Sequence, residues 1–183
     1  MAEHKLTLRQ VEDIFLEAAR EILEIPEDNS TVRLAYGADS KTGSAPNHNV
    51  TSNVCYVIIS PVNDGYGNQH HIGYDSAEGS DLLTEVDEYT EEYSVLFSCY
   101  GADSYEMARK IRDGLYGEKC KSLLRGYKIY FVVGSPRLIS ASEMINTRWV
   151  DRCDLTAEFY SSVRVERADA VGRIDKVAVN LAP

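Results

Sequence analysis

One run of residues in the C-terminal third limits the folds open to this chain more than any other feature. From Arg152 to Arg167, apolar and polar side chains alternate almost throughout, which is typical of a β-strand with one buried side and one solvent-facing side. About 16 extended residues span ~53 Å. A compact domain of 183 residues is expected to be roughly 41 Å across. A straight strand of this length therefore does not fit inside one compact domain.

Two arrangements accommodate such a strand. The strand can coil strongly or carry a β-bulge and so remain on one domain. Alternatively, it can project beyond the core with its partner strand and have its edge covered by a neighbouring chain, because uncovered edges promote uncontrolled association. The run from Glu85 to Tyr100 is the best candidate for the partner, since it alternates in the same way. Only the second half of that run has a clearly apolar side.

The rest of the chain predicts an α+β fold. Thr7 and Gln10 form a capping box in front of an amphipathic helix, and a second helix follows Gly101 and connects two strands. Three shorter strands are predicted at Thr31–Tyr36, Val54–Ile59 and Tyr127–Val133. We therefore expect a mostly antiparallel β-sheet with long projecting strands, packed against an N-terminal helix and a crossover helix.

The chain is expected to form a single domain over residues 1–183. Glycine, serine, asparagine and proline are concentrated in residues 37–53 and 63–79, and this composition predicts two long loops. Residues 168–183 are expected to form a C-terminal arm. With 44% hydrophobic residues, the sequence can supply a sizeable core.

Charge and aromatic content restrict the classes of function. The formal net charge is −10, which argues against a general binder of the phosphate backbone, because such proteins carry basic patches. The chain has 12 Tyr but only 4 Phe and 1 Trp. Tyrosine combines an apolar ring with a polar tip, so this excess suits half-buried surfaces and interfaces.

Catalytic and metal chemistry receive little support from the sequence. His70 and His71 lie in the glycine-rich loop Gly65–Gly73 and lack further ligands at the spacing of a metal site, so a solvated loop is the simpler interpretation. Cys120 stands between two lysines that could lower the pKa of its thiol, but no histidine is near it in sequence. The remaining candidates are acidic residues typical of a solvated face: Glu85, Asp87, Glu88, Glu91 and Glu92. We expect no cofactor, no metal and no catalytic residue.

Three segments from about Glu88 onward resemble the neck or tail terminator (tail completion) proteins of tailed bacteriophages. The first is a strand that ends in an aromatic-glycine turn, VLFSCYGADS. The second is the helix that follows it, YEMARKIRDGLYG. The third is the long strand RWVDRCDLTAEFYSSVRVERADAVGRID. The resemblance covers roughly half of the chain.

The resemblance implies a structural virion protein rather than an enzyme. Members of this family cap the head-proximal end of the tail tube as a six-fold ring, end tube polymerisation and join the tail to the neck. The implied partners are further copies of the chain, the tail tube protein, the tail sheath as an additional candidate, and a neck or head-completion protein. DNA would pass through the lumen without specific binding, no membrane is involved, and the virion would be assembled in the host cytoplasm.

Within such a ring, the polar faces of the two long strands and their tyrosines are expected to contribute to subunit contacts. These residues are Glu88, Tyr89, Glu92, Tyr93, Arg152, Asp154, Glu158, Tyr160 and Arg164. Charge reversal at Arg152 or Arg164 is expected to weaken assembly more than folding. Two other functions stay open: a head-to-tail connector or other tail component, and a small cytosolic enzyme that uses the His70/His71 loop or Cys120.

Overall fold

The computed structural model describes residues 5–26, 31–35, 52–62, 65, 69–76, 82–145 and 147–172. These residues form three helices and seven strands. The helices are α1 (Leu8–Leu23), α2 (Ser104–Leu115) and α3 (Glu118–Gly126). The strands are β1 (Val32–Leu34), β2 (Val54–Val62), β3 (His71–Ser76), β4 (Leu82–Tyr100), β5 (Ile129–Phe131), β6 (Arg137–Ile145) and β7 (Arg148–Gly172).

The strands form one sheet in the order β1-β2-β4-β7-β5, with β3 paired to β4 and β6 paired to β7. Only the β1–β2 pair is parallel among these pairings. Because β4 and β5 are both antiparallel to the β7 strand between them, they run parallel to each other. The segment α2–α3 is therefore a crossover connection, and the predicted α+β fold is confirmed.

All three helices contribute to a core on one face of the sheet. The capping box of Thr7 and Gln10 opens α1 as predicted, and the side chain of Phe15 on this helix is fully buried. Its ring centroid lies 4.6 Å from that of Phe159 on β7, and the Phe159 ring lies 5.5 Å from that of Phe131 on β5. These aromatic contacts join the helix layer to the centre of the sheet.

The two longest strands continue beyond this core. The core cluster ends at Tyr93 in β4 and at Phe159 in β7, whereas β4 has 19 residues and β7 has 25. About 13 residues of β7 therefore follow the core, a length of roughly 43 Å if extended. β3 pairs with the same part of β4. We call this part of the sheet the extension: β3, residues 82–91 of β4 and residues 162–172 of β7.

The extension also contains a change of register. Thr84 pairs with Ala170, whereas the next residue, Glu85, pairs with Arg167. This bulge lets the strands bend locally. β7 therefore continues past the core and its pairing with β4 is also interrupted by a β-bulge.

Three buried cysteines lie on one row of the sheet. Cys99 on β4 pairs with Cys55 on β2 and with Cys153 on β7. All three side chains are fully buried against the helix layer, and their thiols are free. They serve the core as small apolar side chains.

Several elements differ from those predicted. β3 lies within the predicted loop 63–79, because its backbone pairs with β4 although its sequence lacks apolar alternation. α3 and β6 were not predicted. Residues 168–172 of the predicted arm continue β7. Residues 37–51 of the other predicted loop and 173–183 of the arm lie outside the described residues.

Two predicted strands are shorter in the structure than in the sequence analysis. β5 covers Ile129–Phe131 because Lys128 has a φ of 54°, which ends the extended backbone. β1 covers only Val32–Leu34 of the strand predicted there. In the part of the chain that the structure describes, no helix is long and apolar enough to span a membrane.

Candidate functional site

The sheet face opposite the helices carries most of the residues predicted for assembly. Directly paired residues of neighbouring strands share a face, and the pairings Glu88–Arg164, Glu92–Tyr160, Ser94–Glu158 and Ser98–Asp154 place these side chains together. We call this side of the sheet the open face. Seven predicted residues lie on it: Glu88, Glu92, Arg152, Asp154, Glu158, Tyr160 and Arg164. The helix-facing core includes none of them.

Arg152 is the centre of one charge network on the open face. Its guanidinium contacts Glu143 of β6 at 2.9 Å and Asp154 at 2.8 Å, and it lies 5.4 Å from the centroid of the Tyr100 ring. The Tyr100 hydroxyl donates a 2.9 Å hydrogen bond to Glu143. The bonds from Tyr100 and Arg152 lower the pKa of the Glu143 carboxyl. The network therefore links β4, β6 and β7. It holds the charged, half-buried Arg152 side chain in place on the open face.

Arg164 is the centre of a second network, in the extension. One guanidinium nitrogen donates a 2.6 Å bond to Glu88 of β4 and another donates to Asp75 of β3. Its Nε lies 3.6 Å from a carboxylate oxygen of Glu166. The Arg164 side chain is only 8% exposed. A single buried guanidinium therefore connects all three strands of the extension.

The opposite side of the extension carries a third network around Asp87. This carboxylate is buried, with His70 Nδ1 at 2.8 Å and Arg167 at 3.1 Å. The His70 ring also lies against Tyr89, with 4.6 Å between the ring centroids. The hydrogen bond from His70, followed by that from Arg167, lowers the pKa of the Asp87 carboxyl. His70 is thus a structural contact of the extension, and Tyr89 lies beside it.

This lowered pKa predicts a pH-dependent contribution to stability. The ordinary pKa of an aspartate near 3.8 applies to the unfolded chain. The ionised Asp87 therefore stabilises the fold fully above that value, and the stabilisation is lost as the pH falls through the lower folded pKa. We expect Asp87→Asn to reduce the free energy of unfolding most above about pH 5, with the two proteins converging in more acidic solution. Urea unfolding at a series of pH values measures this difference. A difference that does not change with pH would contradict the assignment.

Of the three predicted tyrosines, the two on β4 lie on the helix side of the sheet. Tyr89 is half-buried in the extension. Tyr93 is only 4% exposed and belongs to the core, and its hydroxyl donates a 2.5 Å bond to Glu91. Burial is the main cause that raises the pKa of the Tyr93 hydroxyl. Tyr93 was expected at a subunit contact, but its position in the core makes it a packing residue, so we leave it out of the proposed assembly surface.

The residues considered for catalysis do not form a site in the described chain. Cys120 was expected in a polar setting, but it is 2% exposed in the core, and burial raises the pKa of its thiol to about 11. A protonated, enclosed thiol is a poor nucleophile. His71 is exposed on β3. In the part of the chain that the structure covers, no cluster of three or more His, Cys, Asp or Glu side chains is arranged to hold a metal ion.

The hairpin formed by β6 and β7 is an exposed feature that was not predicted from the sequence. It presents large apolar side chains to solvent: Ile139 is 62% exposed, Met144 58% and Trp149 70%. Trp149 is the only tryptophan of the chain and directly follows Arg148. An isolated tryptophan at the start of a long strand was the signal available for finding it.

A family model described as phage neck terminator protein matches residues 38–182. This range contains the open face, the extension, α2, α3 and the β6–β7 hairpin. No curated protein matches the chain.

Proposed function

The chain belongs to the family of phage neck terminator proteins, and from that premise we propose that it forms a ring on the head-proximal end of the tail tube. In this position it stops the addition of further tube subunits and joins the tail to the neck. This role is structural, like that of the family. In this proposal the charge networks hold the strands of the sheet together and do not take part in a reaction.

The main support for the ring proposal is that β4 and β7 continue well past the core. Strands that project past a core expose edges that pair with another chain unless they are covered. Here the three-stranded extension continues past Tyr93 and Phe159 and is connected by ion pairs around Arg164 and Asp87. We propose that this extension reaches over the neighbouring subunit and brings the open face into the contact.

The exposure of the open-face residues divides them into two groups. Arg152, Asp154, Glu158 and Tyr160 are half-buried, and Glu88 is exposed; we propose that these side chains touch the next subunit. Glu92 and Arg164 are 9% and 7% exposed, so they support the surface from within. Tyr89 contributes at the other side of the extension, beside His70.

The proposed assembly is a homohexamer in the virion, put together in the host cytoplasm. Its partners are the tail tube protein, with the tail sheath as an additional candidate, and a neck or head-completion protein. DNA passes through the lumen without specific binding. The net charge of −10 supports this proposal, since an anionic wall repels phosphates.

The wild-type protein is expected to form six-fold rings that bind tail tubes. Mass photometry gives the subunit number, cryo-EM gives the symmetry, and pull-down with tube protein or with portal-side adaptor protein separates a terminator from a connector. A strictly monomeric protein that binds no tubes would overturn the proposal.

Charge reversal at Glu158 is expected to weaken the ring without affecting the fold. Glu158 is half-buried on the open face, and a misplaced charge in an interface costs affinity. We expect Glu158→Arg to reduce subunit association about tenfold or more, with an unchanged melting temperature. Arg109→Glu on α2, where the side chain is 51% exposed, is the matched control. Equal association of both variants would remove Glu158 from the contact.

A further inference from the structure

The end of the β6–β7 hairpin has the features of a binding site for a partner. Met144 and Trp149 are direct cross-strand neighbours, and their side chains are 58% and 70% exposed. Large apolar side chains gathered at one exposed position mark an interaction site, and tryptophan and arginine are the residue types that most often dominate binding energy. Exposed Arg148 stands beside the tryptophan. The hairpin therefore offers an aromatic and a positive charge together.

A groove along α1 has the complementary character. Its volume is about 430 Å³ and it is lined by Asp13, Leu16, Glu17, Arg20, Glu21 and Ile25. Leu16 and Ile25 provide apolar surface. Two of the carboxylates already have cations of the same chain beside them, with Arg9 at 3.7 Å from Asp13 and Lys119 at 2.9 Å from Glu21. Glu17 is exposed and adds a negative charge to the rim of the groove.

We propose that the hairpin end of one copy, Arg148 with Trp149, inserts into the α1 groove of the next copy. The indole ring covers Leu16 and Ile25, and the Arg148 guanidinium meets Glu17 at the rim. The contact removes the exposed aromatic side chain from solvent and pairs two opposite charges.

A second copy of this chain is the occupant that these features favour. The chain as a whole is strongly acidic, yet Arg148 at the hairpin end is an exposed positive charge and Glu17 in the groove an exposed negative one, so these positions of identical copies attract each other. The hairpin and the groove are different surfaces of the molecule. Such a contact runs head to tail and produces a closed ring when the rotation between copies closes. The inference rests on the proposed ring and assigns one of its contacts.

Trp149 itself reports on the contact. As the only tryptophan, it gives all of the tryptophan fluorescence, so acrylamide quenching can be compared between the assembled protein and a diluted monomer. We expect several-fold weaker quenching and a blue-shifted emission in the assembly. We also expect Trp149→Ala to weaken association about tenfold or more. Tyr105→Ala is the matched control, because Tyr105 is an aromatic residue on α2 that is 48% exposed and lies on neither proposed surface.

A charge exchange tests the second half of the contact. Arg148→Glu and Glu17→Arg are each expected to weaken association, and the double variant is expected to recover most of the loss. A ring in which Trp149 is quenched as strongly as in the monomer, or in which the double variant shows no recovery, overturns this contact and leaves the ring intact. A wild-type chain that never assembles overturns the proposed function and this contact with it.

Discussion

Replacing Arg164 by Glu is expected to unfold the three-stranded extension while the helix-packed core stays folded. The buried guanidinium bonds Glu88 and Asp75 and lies near Glu166. The variant would place a fourth carboxylate among these three with no cation to balance them. The new carboxylate would occupy the buried position of the guanidinium, and burying a charge without an opposite partner is strongly destabilising. Ile72, the large apolar residue of β3, is 52% exposed, so apolar burial compensates little for the lost ion pairs.

Hydrogen exchange resolves this effect by segment. We expect the amides of β3 and of residues 83–88 in β4 to exchange about tenfold faster or more in Arg164→Glu, with the amides of α1 unchanged. Arg164→Lys keeps the charge but loses the forked geometry, so an intermediate effect is expected. Arg109→Glu on the exposed side of α2 serves as the control. Unchanged exchange in β3 would show that Arg164 does not connect the extension.

This expectation differs from the one drawn from the sequence alone. The alternating pattern places Arg164 on a polar strand face, where charge reversal is predicted to affect assembly more than folding. In the structure the Arg164 side chain is only 8% exposed, and its ion pairs lie within the same chain. We therefore expect charge reversal to affect the folding of the extension first. Any loss of assembly in this variant would then follow from the loss of the extension.

The second large effect is expected from Phe159→Ala in the core. The Phe159 side chain is fully buried and contacts the rings of Phe15 and Phe131. Its removal loses the apolar transfer energy and leaves a cavity between the helix layer and the sheet. We expect the free energy of unfolding to fall by about 3–5 kcal/mol, measured by urea unfolding with fluorescence detection.

The neighbouring strand provides the control for this variant. Tyr130 on β5 is 49% exposed, and Tyr130→Ala is expected to change the free energy of unfolding by less than about 0.5 kcal/mol. A loss below about 1 kcal/mol in Phe159→Ala would contradict its central position in the core. The comparison separates loss of an aromatic ring from loss of core packing.

The long strands and α1 could be predicted because local patterns determine them. β7 alternates between core and open face from Cys153 to Phe159, and the same side chains are buried in the structure. α3 carried a weaker signal: Cys120 and Leu124 are four residues apart and both are buried, but the lysines beside Cys120 suggested a polar segment. One apolar pair was too little to distinguish a short helix from a loop.

β3 and β6 could not be predicted because neither strand carries the alternation on which the prediction depends. β3 contains Gly73 and Asp75 and is connected through an ion pair to Arg164, 89 residues away. Most side chains of β6 are exposed on both sides of the sheet, so no apolar period appears in its sequence. The charge networks could not be predicted either, because they join residues far apart in sequence; the Tyr100–Glu143 bond joins residues 43 apart. The sequence shows the charges, but only the fold decides which of them meet.

The row of buried cysteines determines how the protein responds to oxidation. Oxidation of a cysteine proceeds through the thiolate and needs access to solvent. Cys55, Cys99 and Cys153 are fully buried, and the pKa values of Cys55 and Cys153 are raised, the first by its contact with Cys99 and the second by burial. The sheet interior thus keeps its thiols in the unreactive form. A neck protein of this design can enter an oxidising medium without a covalent change at these three cysteines.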